Sequence, residues 1–217
     1  MLALLGAGIF FLSACSKNSS SATGGARIMF TNSCVGATSA SLTINGSTMS
    51  NASAIPYLGN SGYQTVAAGT STITSMLTGV GTLGTLTAGL GNTSYSVFDC
   101  GTVLGDTLVI VLDSLPAASN NYAYARLVNA SSDTTATAIT GAAGNTVVGS
   151  GVAYAAASRF VQVTPGTYSL TALNVNKPGN VATLSNVQLN GGKIYTLLYS
   201  GNSNTSVGFK ITVINNN

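Results

Sequence analysis

Apolar and polar residues alternate with a period of two through much of this chain. Residues 207–213 (VGFKITV) place four apolar side chains on one face and three small or polar residues on the other. This alternation is typical of a half-buried strand. No segment shows a sustained apolar period of 3.6 residues. The pattern therefore predicts an all-β protein.

Turn signals separate the predicted strands. Asn45-Gly46 and Asn190-Gly191 each lie between two strand-like segments, and both predict hairpin turns because such turns need positive φ at the tip. Residues 164–167 (TPGT) predict a further turn from one strand to the next. Short strands separated by turns every 8–12 residues or so are typical of a β-sandwich.

The chain also contains an internal repeat. Residues 26–32 (ARIMFTN) match residues 125–131 (ARLVNAS), and residues 95–98 (YSVF) match 195–198 (YTLL). Self-similarity in the same order along the chain indicates duplication of one unit. We therefore predict two tandem β-sandwich domains, immunoglobulin- or transthyretin-like, at residues 26–116 and 122–217, joined by a linker at 117–121.

Each copy opens with an Ala-Arg-apolar strand, contains an Asn-Gly turn, and continues to an aromatic residue followed by Val-x-x-Gly-Thr. Residues 160–167 (FVQVTPGT) show this last segment in full. Together these motifs resemble the domain-of-unknown-function 4397 family. The resemblance implies a β-sandwich-like domain in a bacterial envelope or secreted protein, often a lipoprotein, with no established activity. The first copy departs from the pattern at residues 67–69 (AAG), where a Pro-Gly turn is expected.

The N-terminal segment predicts an export signal. Residues 2–14 (LALLGAGIFFLSA) form an apolar run that is too short for a membrane-spanning helix and fits a signal peptide over residues 1–14. Residues 12–15 (LSAC) resemble the bacterial lipobox, which implies lipid attachment at Cys15. Residues 15–25 then form a tether. We expect a membrane partner through this lipid, most simply the outer membrane of a Gram-negative bacterium.

Composition removes most kinds of active site. Only 5% of residues are charged and there is no His, so Ser-His-Asp and Cys-His arrangements are excluded. A glycan-acting enzyme would need two of four scattered aspartates. No zinc or calcium ligand spacing is recognisable, and the seven basic residues form no cluster for nucleic acid. We expect no catalysis, no metal, no cofactor and no nucleic-acid partner.

Several residues remain candidates for modification. Cys34 and Cys100 are the cysteines left after lipidation, and in an exported protein they either form a disulfide or stay as buried thiols. Thr107, Ser114 and Thr134 each follow an Asp, and these triplets resemble acceptors of a bacterial O-glycosylation system. A chain rich in Ser and Thr would also produce such triplets by chance.

Two segments are candidates for surface contacts. The Gly-rich residues 78–91 predict a mobile loop. Tyr122 and Tyr124, near the predicted junction, either face a partner or seal the contact between the domains. The sequence thus favours a non-catalytic, lipid-anchored envelope protein that presents two β-sandwiches for binding, adhesion or surface structure. The alternative is a fibre subunit assembled by strand addition, with residues 207–214 as the donated strand.

Overall fold

The computed structural model describes residues 24–117, 119–132, 139–143, 145–174, 177–202 and 208–217. These residues form strands and turns without an α-helix, which agrees with the predicted all-β class. Within these ranges, no helix is long and apolar enough to cross a membrane. Cys15 and Thr134 lie outside the described residues.

The described residues of the first half form nine strands. In chain order they are β1 Ala26–Asn32, β2 Ser39–Ile44, β3 Ser47–Thr48, β4 Ile55–Pro56, β5 Asn60–Val66, β6 Gly69–Leu77, β7 Gly81–Leu90, β8 Ser94–Thr102 and β9 Gly105–Leu112.

The second half repeats this plan. Its strands are β10 Ala123–Asn129, β11 Ile139–Ala143, β12 Thr146–Val152, β13 Ala156–Ala157, β14 Val161–Val163, β15 Gly166–Asn174, β16 Lys177–Leu189, β17 Ile194–Ser200 and β18 Lys210–Asn215.

Each half is a sandwich of two sheets with the same strand order. The first half has the order β5-β1-β8-β9 in one sheet and β3-β2-β6-β7 in the other. The second half has β10-β17-β18, with β13 and β14 both paired to β10, and β12-β11-β15-β16. In both halves the first strand runs parallel to the penultimate one, β1 with β8 and β10 with β17. The duplication in the sequence is therefore a duplication of topology.

The four sheets stack in layers, and the central strands of the two inner sheets, β1, β8, β10 and β17, are buried on both faces. Each sandwich has its own apolar core. A third apolar cluster, the interface cluster, joins the β1-β8 sheet to the β10-β17 sheet. Its fully buried members are Met29, Phe98, Cys100, Val128, Ala130, Leu198 and Ile214. Strands buried on both faces lose the period-two alternation, which explains why all seven residues of β17 are buried.

Turn chemistry and strand formation follow the sequence only in part. Asn45 and Gly46 have φ of 50° and 80° between the paired strands β2 and β3, which confirms that hairpin. Residues 190–191 instead lead from β16 to β17, which belong to different sheets. The mobile loop predicted for residues 78–91 is wrong, since β7 pairs with β6 along its length. Leu83 and Leu86 of β7 pack against the first core.

Candidate binding cleft between the two halves

The two halves exchange matching hydrogen bonds across the interface cluster. The Tyr57 hydroxyl lies 3.0 Å from Oγ of Ser200, and the Tyr154 hydroxyl donates to the Cys100 carbonyl at 3.0 Å. Tyr57 and Tyr154 occupy corresponding positions in the two copies, so each half reaches the other through an equivalent tyrosine, one bonded to a side chain and the other to the backbone. Burial raises the pKa of both phenols, that of Tyr154 to about 12.

A buried ion pair also crosses this junction. Asp113 directly follows β9 and is 2% exposed; Arg126 lies in β10 and is 1% exposed. Nη2 of Arg126 is 2.5 Å from Oδ1 of Asp113, while Oγ of Ser96 donates to Oδ2 at 2.8 Å. A charge this deeply buried is stable only when it is paired and hydrogen-bonded. The network therefore ties the end of the first half to the first strand of the second.

Polar residues of both halves complete this network. Nε of Arg126 donates to Oγ1 of Thr196 at 3.0 Å, and Thr196 donates to Oδ1 of Asn216 at 2.8 Å. The Tyr63 hydroxyl donates to Asp113 at 2.6 Å and accepts from Nδ2 of Asn216 at 3.2 Å. Burial, followed by the negative charge of Asp113, raises the pKa of Tyr63 to about 12.

A cation–π pair appears once in each copy. The Arg126 guanidinium lies 4.6 Å from the ring centroid of Phe160, and Arg27 lies 4.7 Å from that of Tyr63. The repeat aligns Arg27 with Arg126 and Tyr63 with Phe160. The surroundings differ, because Arg27 is exposed whereas Arg126 is buried beside Asp113. Tyr63 of the first pair and Arg126 of the second both belong to the junction network, whereas Arg27 stays outside it.

An open cleft of about 510 Å³ lies over the buried ion pair. Both halves line it, with Val111, Leu112, Ser114 and Pro116 on one side and Tyr124, Arg126, Ala157, Ser158, Arg159 and Phe160 on the other. This volume falls within the range of small-molecule sites. Arg159 and Ser114 are exposed, and Tyr124 and Phe160 are half-buried. The cleft combines two aromatic rings with a solvent-facing cation.

A second cleft of about 380 Å³ lies next to the first. It includes Gly25, Arg27, Asn92 and Asp113, and it shares Ser114 with the first cleft. Gly25 directly precedes β1. Both clefts therefore lie at the end of the molecule where the chain enters from its N-terminal segment.

The other two described aspartates lie inside the first sandwich, and neither forms an ion pair with another described residue. Asp99 is fully buried, accepts a hydrogen bond from Oγ of Ser75, and has no partner for Oδ1 among the described residues. Burial, reinforced by the charge of Asp106, raises the pKa of Asp99 to about 8. Burial likewise raises that of Asp106 to about 6. The part of the chain that the structure describes contains no group of three potential metal ligands.

Cys34 and Cys100 are buried free thiols, not a disulfide. Asp99 points into the first sandwich, so Cys100, the next residue of β8, leaves the sheet on the opposite face and joins the interface cluster. Cys34 lies beside Asp106 instead, and burial together with the Asp106 charge raises its thiol pKa. A disulfide needs Cβ atoms about 3.8 Å apart, which thiols on two faces of a sheet do not provide.

The predicted surface residues have mixed locations. Thr107 is exposed on β9, and Ser114 is exposed in both clefts. Tyr122 is 41% exposed, whereas Tyr124 lines the first cleft. Arg126, Asp113 and Phe160 were not predicted from the sequence to contribute to a site. The available signal was a charged residue inside an otherwise apolar strand, residues 125–128 (ARLV).

Comparison with known proteins identifies the repeated unit. A family model described as a domain of unknown function, DUF4397, matches residues 26–140 and again 123–217. No curated protein matches the chain. A carbohydrate-binding module of family CBM26 from Eubacterium rectale Amy13K, solved with maltoheptaose, is 12% identical, with coverage of 87% of this chain and 96% of that one at a TM-score of 0.28. A Bacteroides fragilis protein proposed to act in cell adhesion is 11% identical over 88% and 97%, at a TM-score of 0.21.

Proposed function

This chain belongs to the DUF4397 family, and we propose that it is a non-catalytic, lipid-anchored envelope protein that binds its ligand in the cleft between its two halves. The observation that carries the proposal is the cleft itself, which both halves line above a buried ion pair. A site that is shared by two packed sandwiches keeps its shape only if the halves do not move apart. The Asp113–Arg126 network and the interface cluster hold them together.

A binding role fits the chemistry of the cleft better than a catalytic one. Arg159, Ser114 and the Tyr124 phenol supply hydrogen-bond donors, while Leu112, Pro116 and Phe160 supply apolar surface. The carboxylate nearest the cleft, Asp113, is 2% exposed and is engaged by Arg126, Ser96 and Tyr63. Rigid aromatic surface with a few convergent polar groups is typical of a binding site.

The same proposal includes the anchor. Lipid on Cys15 and a tether over residues 15–25 would hold the protein at the outer membrane of a Gram-negative bacterium. Because Gly25 lies in the second cleft, next to the first, the binding face would lie at the anchored end. This position favours a ligand in the same envelope. Exposed Thr107 and Ser114 are the described candidates for O-glycosylation.

The fibre alternative receives less support. All six residues of β18 already pair with β17, from Lys210 opposite Ser200 to Asn215 opposite Tyr195. Ile214 also belongs to the interface cluster. Donation of this strand to another molecule would open the inner sheet of the second half and its contact with the first.

The decisive experiment blocks the cleft without touching the core. Leu112 is 52% exposed and lines the cleft, so Leu112→Glu should place a charged side chain in it while the fold is kept. Full-length protein purified in detergent is titrated with isolated envelope fractions. We expect Leu112→Glu to abolish saturable binding, and Val147→Glu, at a 53% exposed position outside the cleft, to retain it. Equal binding by both variants would remove the cleft as the site.

The anchor is tested separately. Cells producing the protein are labelled with a radioactive fatty acid, and the wild type is compared with Cys15→Ala. Lipidation predicts label and membrane association for the wild type and the loss of both for the variant. An unlabelled wild-type protein would refute the anchor and leave the cleft untouched.

A further inference from the structure

Resting on the proposed function, we infer that the ligand of the cleft is an acidic sugar, a carbohydrate unit that carries a carboxylate. Arg159 would bind the carboxylate, and the rings of Phe160 and Tyr124 would contact the sugar. Three features of the described residues support this ligand: the surface charges, the hydrogen-bond donors of the cleft, and its aromatic side chains.

Cationic side chains outnumber carboxylates on the described surface. Among the described aspartates, Asp99 and Asp113 are at most 2% exposed and Asp106 is only half-buried but faces Gly84 of the opposite sheet. Arg27, Arg159 and Lys210 are exposed. Within the described ranges, cationic side chains are therefore exposed to solvent, whereas the aspartate carboxylates are buried or face another sheet. Such a surface attracts an anion and does not compete for its own cations.

The described residues that line the cleft include hydrogen-bond donors but no acidic side chain. The described part of the chain provides no carboxylate partner for Arg159. Ser114 is exposed, and its hydroxyl has no partner among the described residues. The Tyr124 hydroxyl accepts from Gln162 at 3.2 Å, which leaves its proton available to donate. The planar Arg159 guanidinium can bind a carboxylate through two parallel hydrogen bonds. An acceptor-rich anion satisfies these groups together.

The apolar wall of the cleft favours a sugar over a bare anion. Arg126 covers one face of Phe160, so the remaining ring surface, with Tyr124, Leu112 and Pro116, forms an apolar wall. A small inorganic anion would leave this wall bare. A pyranose ring presents C–H groups on one face and hydroxyls at its edge, which match the wall and the donors. At about 510 Å³ the cleft has room for more than one sugar unit.

The test uses one sugar with and without its charge. Full-length protein is titrated by calorimetry with trigalacturonic acid and with its methyl ester, which keeps the rings and removes the negative charge. We expect the acid to bind at least about tenfold more tightly than the ester, as the loss of a charge-assisted hydrogen bond predicts. Arg159→Gln should abolish this preference. Lys210→Gln makes the same change in net charge at an exposed position outside both clefts. This control variant should keep the preference for the acid within about twofold.

The outcomes separate this inference from the proposed function. Equal affinity for acid and ester, or an unchanged preference in Arg159→Gln, would overturn the acidic sugar. A tripeptide with a free terminal carboxylate that competes better than the sugar acid would also overturn it in favour of a peptide ligand. None of these three results would affect the envelope titration with Leu112→Glu. Loss of that titration difference alone would remove the cleft.

Discussion

The protein buries two aspartates in different ways, one at the junction of its halves and one inside the first half. Asp113 is neutralised by Arg126 and bonded to Ser96 and Tyr63. Asp99 forms no ion pair within the described ranges; burial raises its pKa to about 8, so it is mostly protonated at neutral pH. A carboxyl group can thus be buried by pairing its charge or by losing it. The first way holds two domains in one orientation, whereas the second only fills a core.

The largest effect of a single substitution is expected at the junction. Arg126→Met removes the cation and leaves Asp113 buried without a partner, which typically costs about 3–5 kcal/mol. Urea unfolding should show this loss, and the single transition should split as the halves uncouple. Arg27→Met, at the exposed counterpart, should cost no more than about 1 kcal/mol. Equal losses in the two variants would show that the ion pair does not couple the halves.

The next effect is a dependence of stability on pH. Because the pKa of Asp99 is raised above its unfolded value, its contribution is complete below about pH 4 and is lost as the pH rises towards 8. The free energy of unfolding should fall by up to about 1.4 kcal/mol per pH unit over this interval. Asp99→Asn keeps an oxygen for Ser75 and should flatten the decline. A wild type that gains stability from pH 5 to pH 8 would contradict a protonated Asp99.

The smallest effect tests how tightly the first core is packed around its acids. A Cβ on Gly84 would lie 2.7 Å from Oδ2 of Asp106 and 2.9 Å from Cβ of Leu108, so Gly84→Ala should cost about 1–3 kcal/mol. Gly89 lies on the same strand with nothing within 4 Å of its Cβ position. Gly89→Ala should change stability by no more than about 0.5 kcal/mol. Thermal unfolding of the two variants side by side would decide this, and similar values would mean that the core relaxes around Asp106.

Local patterns in the sequence predict the strands well and their partners poorly. The turn at Asn45-Gly46 was predictable because its conformation depends on those two residues. Residues 190–191 carry the same dipeptide, yet they connect two sheets because β17 pairs with β10 and β18 instead of β16. Strand β7 was mistaken for a loop since its glycines conceal the alternation. Its Gly84 accommodates Asp106 and Leu108 of β9, a requirement that arises only once the two sheets pack.

The all-β class and the duplication were determined by the sequence alone, because alternation and repetition are properties of neighbouring residues and of the order of motifs. Tertiary structure decided which strands are buried on both faces, and thereby where the candidate site lies. Asp113 and Arg126 become partners only when the two inner sheets dock. The same docking places Cys100 in the interface cluster, away from Cys34. The cleft exists for the same reason, since its walls come from both halves and neither half encloses it alone.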